Sequence, residues 1–167
     1  MAYPTSVKVR RDGTIKLKDA TSPTAVELTV SYEEGNLSLD NLVNSDAQTV
    51  VRDRNIIVSV RKGDEEPITG SFSFYFRAFS SSDAGSIRDF ITGSNAYSSN
   101  VSTGTTGTPF VEHYAVNVEF TVEGTDLGDS ADHVATLSKC VCTLSFAEGD
   151  PNTWSLSFTC YGGISYS

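Results

Sequence analysis

The chain has 167 residues, 38% of them hydrophobic and 20% charged, a balance that fits one globular domain, residues 1–167, because a chain of about 150 residues buries roughly 70% of the surface it exposes when unfolded. Its net charge of −9 and pI near 4.5 exclude a binder that grips phosphates through surplus Lys and Arg. No apolar run approaches the roughly 20 residues that cross a bilayer, so no membrane insertion is expected. The start, MAYPTSVKVRRDG, carries no apolar segment of a secretory signal.

In chain order, VKVRRDGTIKLKD reads as a β-hairpin turning at Asp12-Gly13, and TAVELTVSY as a strand with Val26, Leu28 and Val30 on one face. Residues 33–48 have no period and are rich in Asn, Asp, Ser and Gly. They form a long excursion with a short strand at Asn36 to Leu39. TVVRDRNIIVSVR then runs into the turn KGDEEP and returns as ITGSFSFYFRAF. Symmetric pairing about that turn sets Ile56 opposite Phe74, Val58 opposite Phe72, Arg54 opposite Phe76 and Asp53 opposite Arg77.

A single helix is expected at about residues 83–92. Ser82 is its N-cap, Asp83 sits at the positive end of its dipole, Gly93 follows its end, and Ile87, Phe90 and Ile91 form its apolar stripe. After the polar loop GSNAYSSNVSTGTTGTP, a strand sends Val116, Val118, Phe120 and Val122 one way and Asn117, Glu119, Thr121 and Glu123 the other. The last hairpin pairs VATLSKCVCTLSFA with TWSLSFTCYG across EGDPN. That symmetry puts Phe146 opposite Trp154, Leu144 opposite Leu156, Cys142 opposite Phe158 and Cys140 opposite Cys160. The fold class is therefore mainly β, an antiparallel β-sandwich or barrel with one flanking helix and long loops.

Chemistry is sparse. His113 and His133 have no neighbouring nucleophile, base or metal motif, and Cys140-x-Cys142 lacks the C-x-x-C spacing of zinc and redox sites. The acidic stretch GTDLGDSADH lacks the ligand spacing and terminal Glu of an EF-hand. No Walker or dinucleotide fingerprint occurs. No enzyme activity, cofactor or metal is expected, and the three cysteines are expected as reduced thiols, Cys140 and Cys160 buried.

Charge is distributed unevenly. Residues 1–18 hold Lys8, Arg10, Arg11, Lys16 and Lys18 against Asp12, whereas residues 101–167 hold many carboxylates against Lys139. Unlike patches on one surface can meet head to tail in copies of the same chain and build rings or filaments. Lys8, Arg10, Arg11, Lys16 and Lys18 are accordingly the candidate basic patch between subunits.

A basic N-terminal segment, a long loop before a paired-strand unit, the run VRKGDEEPITGSFSFYFRAF, a single helix SSDAGSIRDFITG, a polar loop and a final strand set together resemble the tail tube proteins, or major tail proteins, of long-tailed bacteriophages. The resemblance implies a β-sandwich that self-assembles into hexameric rings, stacked as a tube through which DNA passes. It implies further tail partners such as a tape measure and a tail terminator, and residence in the virion after assembly in the host cytoplasm. It also implies that residues 33–48 reach the neighbouring ring, which makes Asn41, Leu42, Val43, Asn44 and Asp46 candidates for that contact. Asn117, Glu119, Thr121 and Glu123 are the candidates to face the lumen, where few cations and several carboxylates would keep DNA from sticking. The alternative is a carbohydrate-binding or adhesive β-sandwich with Tyr97, Tyr114, Tyr161 and Tyr166 as a stacking platform.

Overall fold

The computed structural model describes residues 13–30, 35–43, 46–75, 87–122, 124 and 130–167. The strands are β1 (Gly13–Lys18), β2 (Glu27–Val30), β3 (Ser38–Asp40), β4 (Asp46–Asp53), β5 (Ile56–Glu65), β6 (Ile68–Tyr75), β7 (Val116–Val122), β8 (His133–Ala147), β9 (Thr153–Cys160) and β10 (Ile164–Tyr166), with the helix α1 (Ile87–Thr92) between β6 and β7. Among the described residues, eight strands form one antiparallel sheet in the order β2-β1-β7-β8-β9-β6-β3, with β10 paired to β8. β4 and β5 form a separate two-stranded ribbon. The expected mainly β, antiparallel class with one short helix is what the chain adopts.

Alternation of side chains decides which face of the large sheet is buried. On β6, Ile68, Phe72 and Phe74 are buried, and so are Leu156, Phe158 and Cys160 on β9 and Ile15 and Leu17 on β1. These residues belong to one core cluster, which α1 joins through Phe90 and Ile91, with Ile87 packed at its margin. The stripe expected on the helix is therefore its core face. Gly93 follows with φ +58, the left-handed conformation expected of a residue just past a helix end. Gly70 of β6 pairs with Phe158 and lies under its ring; a Cβ there would stand 2.4 Å from that ring, so only glycine leaves room for the aromatic.

The last hairpin has the expected register: Cys140 opposite Cys160, Cys142 opposite Phe158, Leu144 opposite Leu156 and Phe146 opposite Trp154. β3 overlaps the expected short strand, starting two residues later and ending one residue later. Two expected pairings fail. β4 pairs with β5, Asp53 with Ile56 and Val50 with Val60, and not with the FSFYF strand. The chain reverses at Arg54-Asn55, whose φ values of 47 and 67 are the two consecutive left-handed residues that a two-residue hairpin loop demands. β6 instead pairs along its whole length with β9, Phe74 opposite Trp154 and Phe72 opposite Leu156. Phe76 and Arg77 lie outside the described residues. At the start of the chain, β1 has β2 on one side and β7 on the other from Ile15 to Lys18. The other strand of the expected N-terminal hairpin, residues 7–11, lies outside the described residues.

Candidate functional site

Two surfaces stand out, and neither is a catalytic pocket. The first is the β4–β5 ribbon. Val50 and Val51 on β4, and Ile56, Ile57, Val58 and Val60 on β5, are exposed, with Ile56 at 71% and Val58 at 64%. Adjacent residues of a strand point to opposite faces, so Val50-Val51 and Ile56-Ile57-Val58 make both faces of the ribbon apolar. A two-stranded ribbon is marginal alone. Its root is held by Lys62 Nζ, 2.6 Å from Asp46 Oδ2, and Gly63 leaves room for the Ala47 carbonyl, which a Cβ would approach to 2.6 Å.

The expected inter-ring candidates flank that root. Leu42 and Val43 are exposed, Asn41 adopts φ 60 and donates from Nδ2 to the Pro67 carbonyl, and Asp46 starts β4. Asn44 lies outside the described residues. Sequence reasoning set the excursion at residues 33–48, whereas the projecting element is the ribbon that follows. Its signal was present in the consecutive apolar pairs, which break the period-two alternation of a strand with one wet face.

The second surface is the polar face of the large sheet. Ser38 of β3, Ser71 of β6, Ser157 of β9 and Thr143 of β8 stand in one row across four strands, with Ser73, Ser155 and Ser145 in the next. On β3, β6, β9 and the second half of β8, every residue of this face is Ser or Thr apart from Asp40, Tyr75, Val141 and Ala147. No Lys or Arg stands among them. The sequence signal was the aromatic–serine alternation of SFSFY and WSLSF. The expected lumen candidates Asn117, Glu119 and Thr121 share this polar face at β7, where they oppose Lys18, Lys16 and Thr14. Glu123 lies outside the described residues.

Charge on the β7 side of that face is paired within the subunit. Lys18 Nζ lies 2.8 Å from Glu119 Oε2 and 2.7 Å from Glu27 Oε1, and Lys16 Nζ lies 3.2 Å from Glu27 Oε2. Burial alone would lower the Lys18 pKa, but hydrogen bonds to Glu119 and Glu27 leave it raised, and the same bonds from Lys18 and Lys16 lower that of Glu27. The face is hydroxyl-rich and internally neutralised where an acidic one was expected. Of the basic patch, Lys16 and Lys18 are engaged in this network, while Lys8, Arg10 and Arg11 lie outside the described residues.

The remaining candidates separate. Tyr97 packs edge-on against Phe90, ring centroids 5.1 Å apart, and the half-buried Tyr114 ring covers Gly93, so of the four tyrosines only Tyr161 and Tyr166 are exposed. Asp19 is buried and accepts from the Thr21 and Val26 amides at 3.2 and 2.6 Å, from the Thr21 hydroxyl, and from the Val101 amide at 3.4 Å. It is a clamp between two loops. His113 and His133 are exposed and lie on different segments. Among the described residues no three His, Cys, Asp or Glu side chains converge to hold a metal ion, and no helix is long and apolar enough to cross a membrane. Cys140 and Cys160 are buried, and burial pushes the half-buried Cys142 thiol up to about 12.

The fold, an antiparallel sheet with one helix on its apolar face, is shared with chains in solved structures of contractile injection systems. One chain in the sheath/tube terminator of PVC, an extracellular contractile injection system, in its extended state has the same fold, with TM-score 0.56 and 11% identity over 99% of this chain and 98% of that one. A chain of the PVC sheath-tube complex matches with TM-score 0.54 and 12% identity over 99% of this chain and 92% of that one. A chain of the six-fold symmetrised baseplate of the anti-feeding prophage matches with TM-score 0.54 and 11% identity over 100% of this chain and 97% of that one. At such identities the likeness is one of fold. No protein-family model and no curated protein matches the sequence.

Proposed function

We propose that this chain is a non-enzymatic structural subunit of a tail tube, self-assembling into stacked rings. The β4–β5 ribbon reaches onto a neighbouring copy, and the hydroxyl face lines the passage. The observation that carries the reading is the ribbon: six large apolar side chains on two strands that the subunit's own core leaves in water. Exposed apolar surface on this scale marks an interaction site, and a second copy in an ordered array covers it without a separate partner. The fold shared with chains of PVC and the anti-feeding prophage supports a place in a tail-like assembly. The Ser/Thr rows of β3, β6, β9 and the second half of β8 carry no Lys or Arg, and Lys16 and Lys18 at the β1 side of the face are held in ion pairs. A passing polyanion therefore finds little counterion-releasing grip, which suits a conduit. Leu42 and Val43 at the ribbon's root extend the same contact, and other tail proteins would cap or thread the tube.

The test is size-exclusion chromatography with negative-stain imaging of the wild type and of a Val58→Asp, Val60→Asp variant. The wild type is expected as rings or tubes at high concentration, and the variant as a folded monomer with unchanged circular dichroism. A wild type that stays monomeric, or a variant that polymerises normally, overturns the reading.

A further inference from the structure

The structure assigns to Cys140 and Cys160 a function beyond packing: we propose that they are a redox pair, oxidised by a small peroxide to a cross-strand disulfide that staples β8 to β9. The two residues are direct partners in the antiparallel ladder. Directly opposed residues there have Cα atoms about 4.5 or 5.5 Å apart according to the position in the hydrogen-bond pattern, and both values fall inside the roughly 4.4–6.8 Å that disulfides span. The Cβ gap is a little wide for a bond, so some backbone adjustment is needed. β8 already departs from regular geometry at this point: Lys139, beside Cys140, has φ 56, and three residues past the end of β9 Gly163 has φ 80. β8 also carries an irregularity opposite β7 between Val116 and Val118. The adjustment therefore falls at the last pair of the β8–β9 ladder, beside the irregular stretch of β8.

The chemistry of the two thiols differs. The Cys160 sulfur lies 3.0 Å from the Ser138 carbonyl and 3.3 Å from that of Gly163, and the Cys140 sulfur 3.5 Å from the Leu137 carbonyl. Interaction between the two thiols lowers Cys160 to about 7 and raises Cys140, which burial raises further. The disulfide is the same whichever sulfur attacks first; with Cys160 attacking, Cys140 resolves. Exposures of 0% and 2% favour a two-electron oxidant as small as hydrogen peroxide. The Cys160 thiolate attacks the O–O bond, becoming a sulfenic acid and releasing hydroxide, which takes up a proton to become water. The Cys140 sulfur then attacks the Cys160 sulfur, forming the S–S bond. The Cys160 S–O bond breaks, and its oxygen leaves as water with the proton from Cys140. Two thiols and one peroxide give one disulfide and two waters. Cys142, two residues away on the same face, pairs with Phe158 and remains a thiol.

The full-length native protein is treated with hydrogen peroxide, quenched, denatured and counted for thiols, alongside Cys142→Ser and Cys160→Ser. Of three thiols one should remain, the intact mass should fall by two hydrogen atoms, and the bonded peptides should be those of Cys140 and Cys160. Cys142→Ser should lose both remaining thiols and Cys160→Ser should form no intramolecular bond. The oxidised wild type should melt roughly 5–10 °C higher, reversibly with reductant, as expected for closing a loop of about 20 residues. A thiol count that stays at three, a gain of oxygen in place of a loss of hydrogen, a bond involving Cys142, or a melting temperature that does not rise each overturns the proposal.

Discussion

The hairpins β4–β5 and β8–β9 are both long, antiparallel and rich in apolar residues, yet one stands in water and the other builds the core. In β8–β9 the apolar residues alternate except at Val141 and Ala147: Cys140, Cys142 and Leu144 stand opposite Cys160, Phe158 and Leu156, with Thr143 and Ser145 on the other face. In β4–β5 the apolar residues come in runs, so neither face is polar and neither is buried: Leu156 is 0% exposed and Val58 64%. Burial within the subunit follows the period of the pattern, while apolar content alone follows the ribbon just as well. The difference separates surface that stabilises the subunit from surface left for a neighbour.

The sharpest way to break the comparison is to truncate one residue from each hairpin. Leu156→Ala removes a side chain packed between Phe72 and Leu144 in the ladder and should destabilise the isolated subunit by about 2–5 kcal/mol. Val58→Ala should stay within about 0.5 kcal/mol. Urea denaturation below the assembly concentration measures both, and equal losses would mean that the ribbon packs on its own subunit.

A smaller effect is expected at Asp19. Asp19→Ala leaves the Val26 and Thr21 amides without their acceptor in a part-buried site and should cost about 1–3 kcal/mol. Hydrogen exchange should quicken at Val26 and Val101 and stay unchanged in β4 and β5. If the ribbon's amides quicken too, the two regions unfold together and their separation is wrong.

The smallest effect is expected at Glu27, whose side chain is 40% exposed. Glu27→Gln should cost less than about 1 kcal/mol, because exposed pairs are screened. Hydrogen bonds from Lys18 and Lys16 lower the Glu27 pKa from its ordinary 4.5, so its contribution is complete above that pH and disappears as pH falls through the lowered value. Stability curves of wild type and variant should therefore converge in acid and in high salt. Curves that remain parallel from neutral pH into acid would remove the network from the account.

What was legible in the sequence was local. The turn EGDPN fixed an axis of symmetry, and the whole β8–β9 register followed from it, as did the helix stripe of Ile87, Phe90 and Ile91 from its spacing. β6 was misassigned because its partner, β9, lies far along the chain: the pairing of Ile68 with Cys160 leaves no trace in residues near Ile68. The Arg54-Asn55 turn was missed because neither residue is glycine, although Asn tolerates the left-handed region. The polar row Asn117, Glu119 and Thr121 was readable from alternation. That Glu119 is neutralised by Lys18 was not, since β1 and β7 meet only in the folded sheet.

The rows of Ser and Thr have a dimensional consequence. These are the shortest side chains able to hold water by hydrogen bonds, and they have few rotamers to lose or to thrash about in. A sheet face that carries them stands low, stays smooth and keeps a thin, evenly bound film of water. Rolled into a closed wall, it would give the widest bore that a polar lining allows, with friction set by that film. Exchanging Ser71, Ser155 or Ser157 for lysine would narrow such a bore and roughen it at the same stroke, before any effect of the added charge.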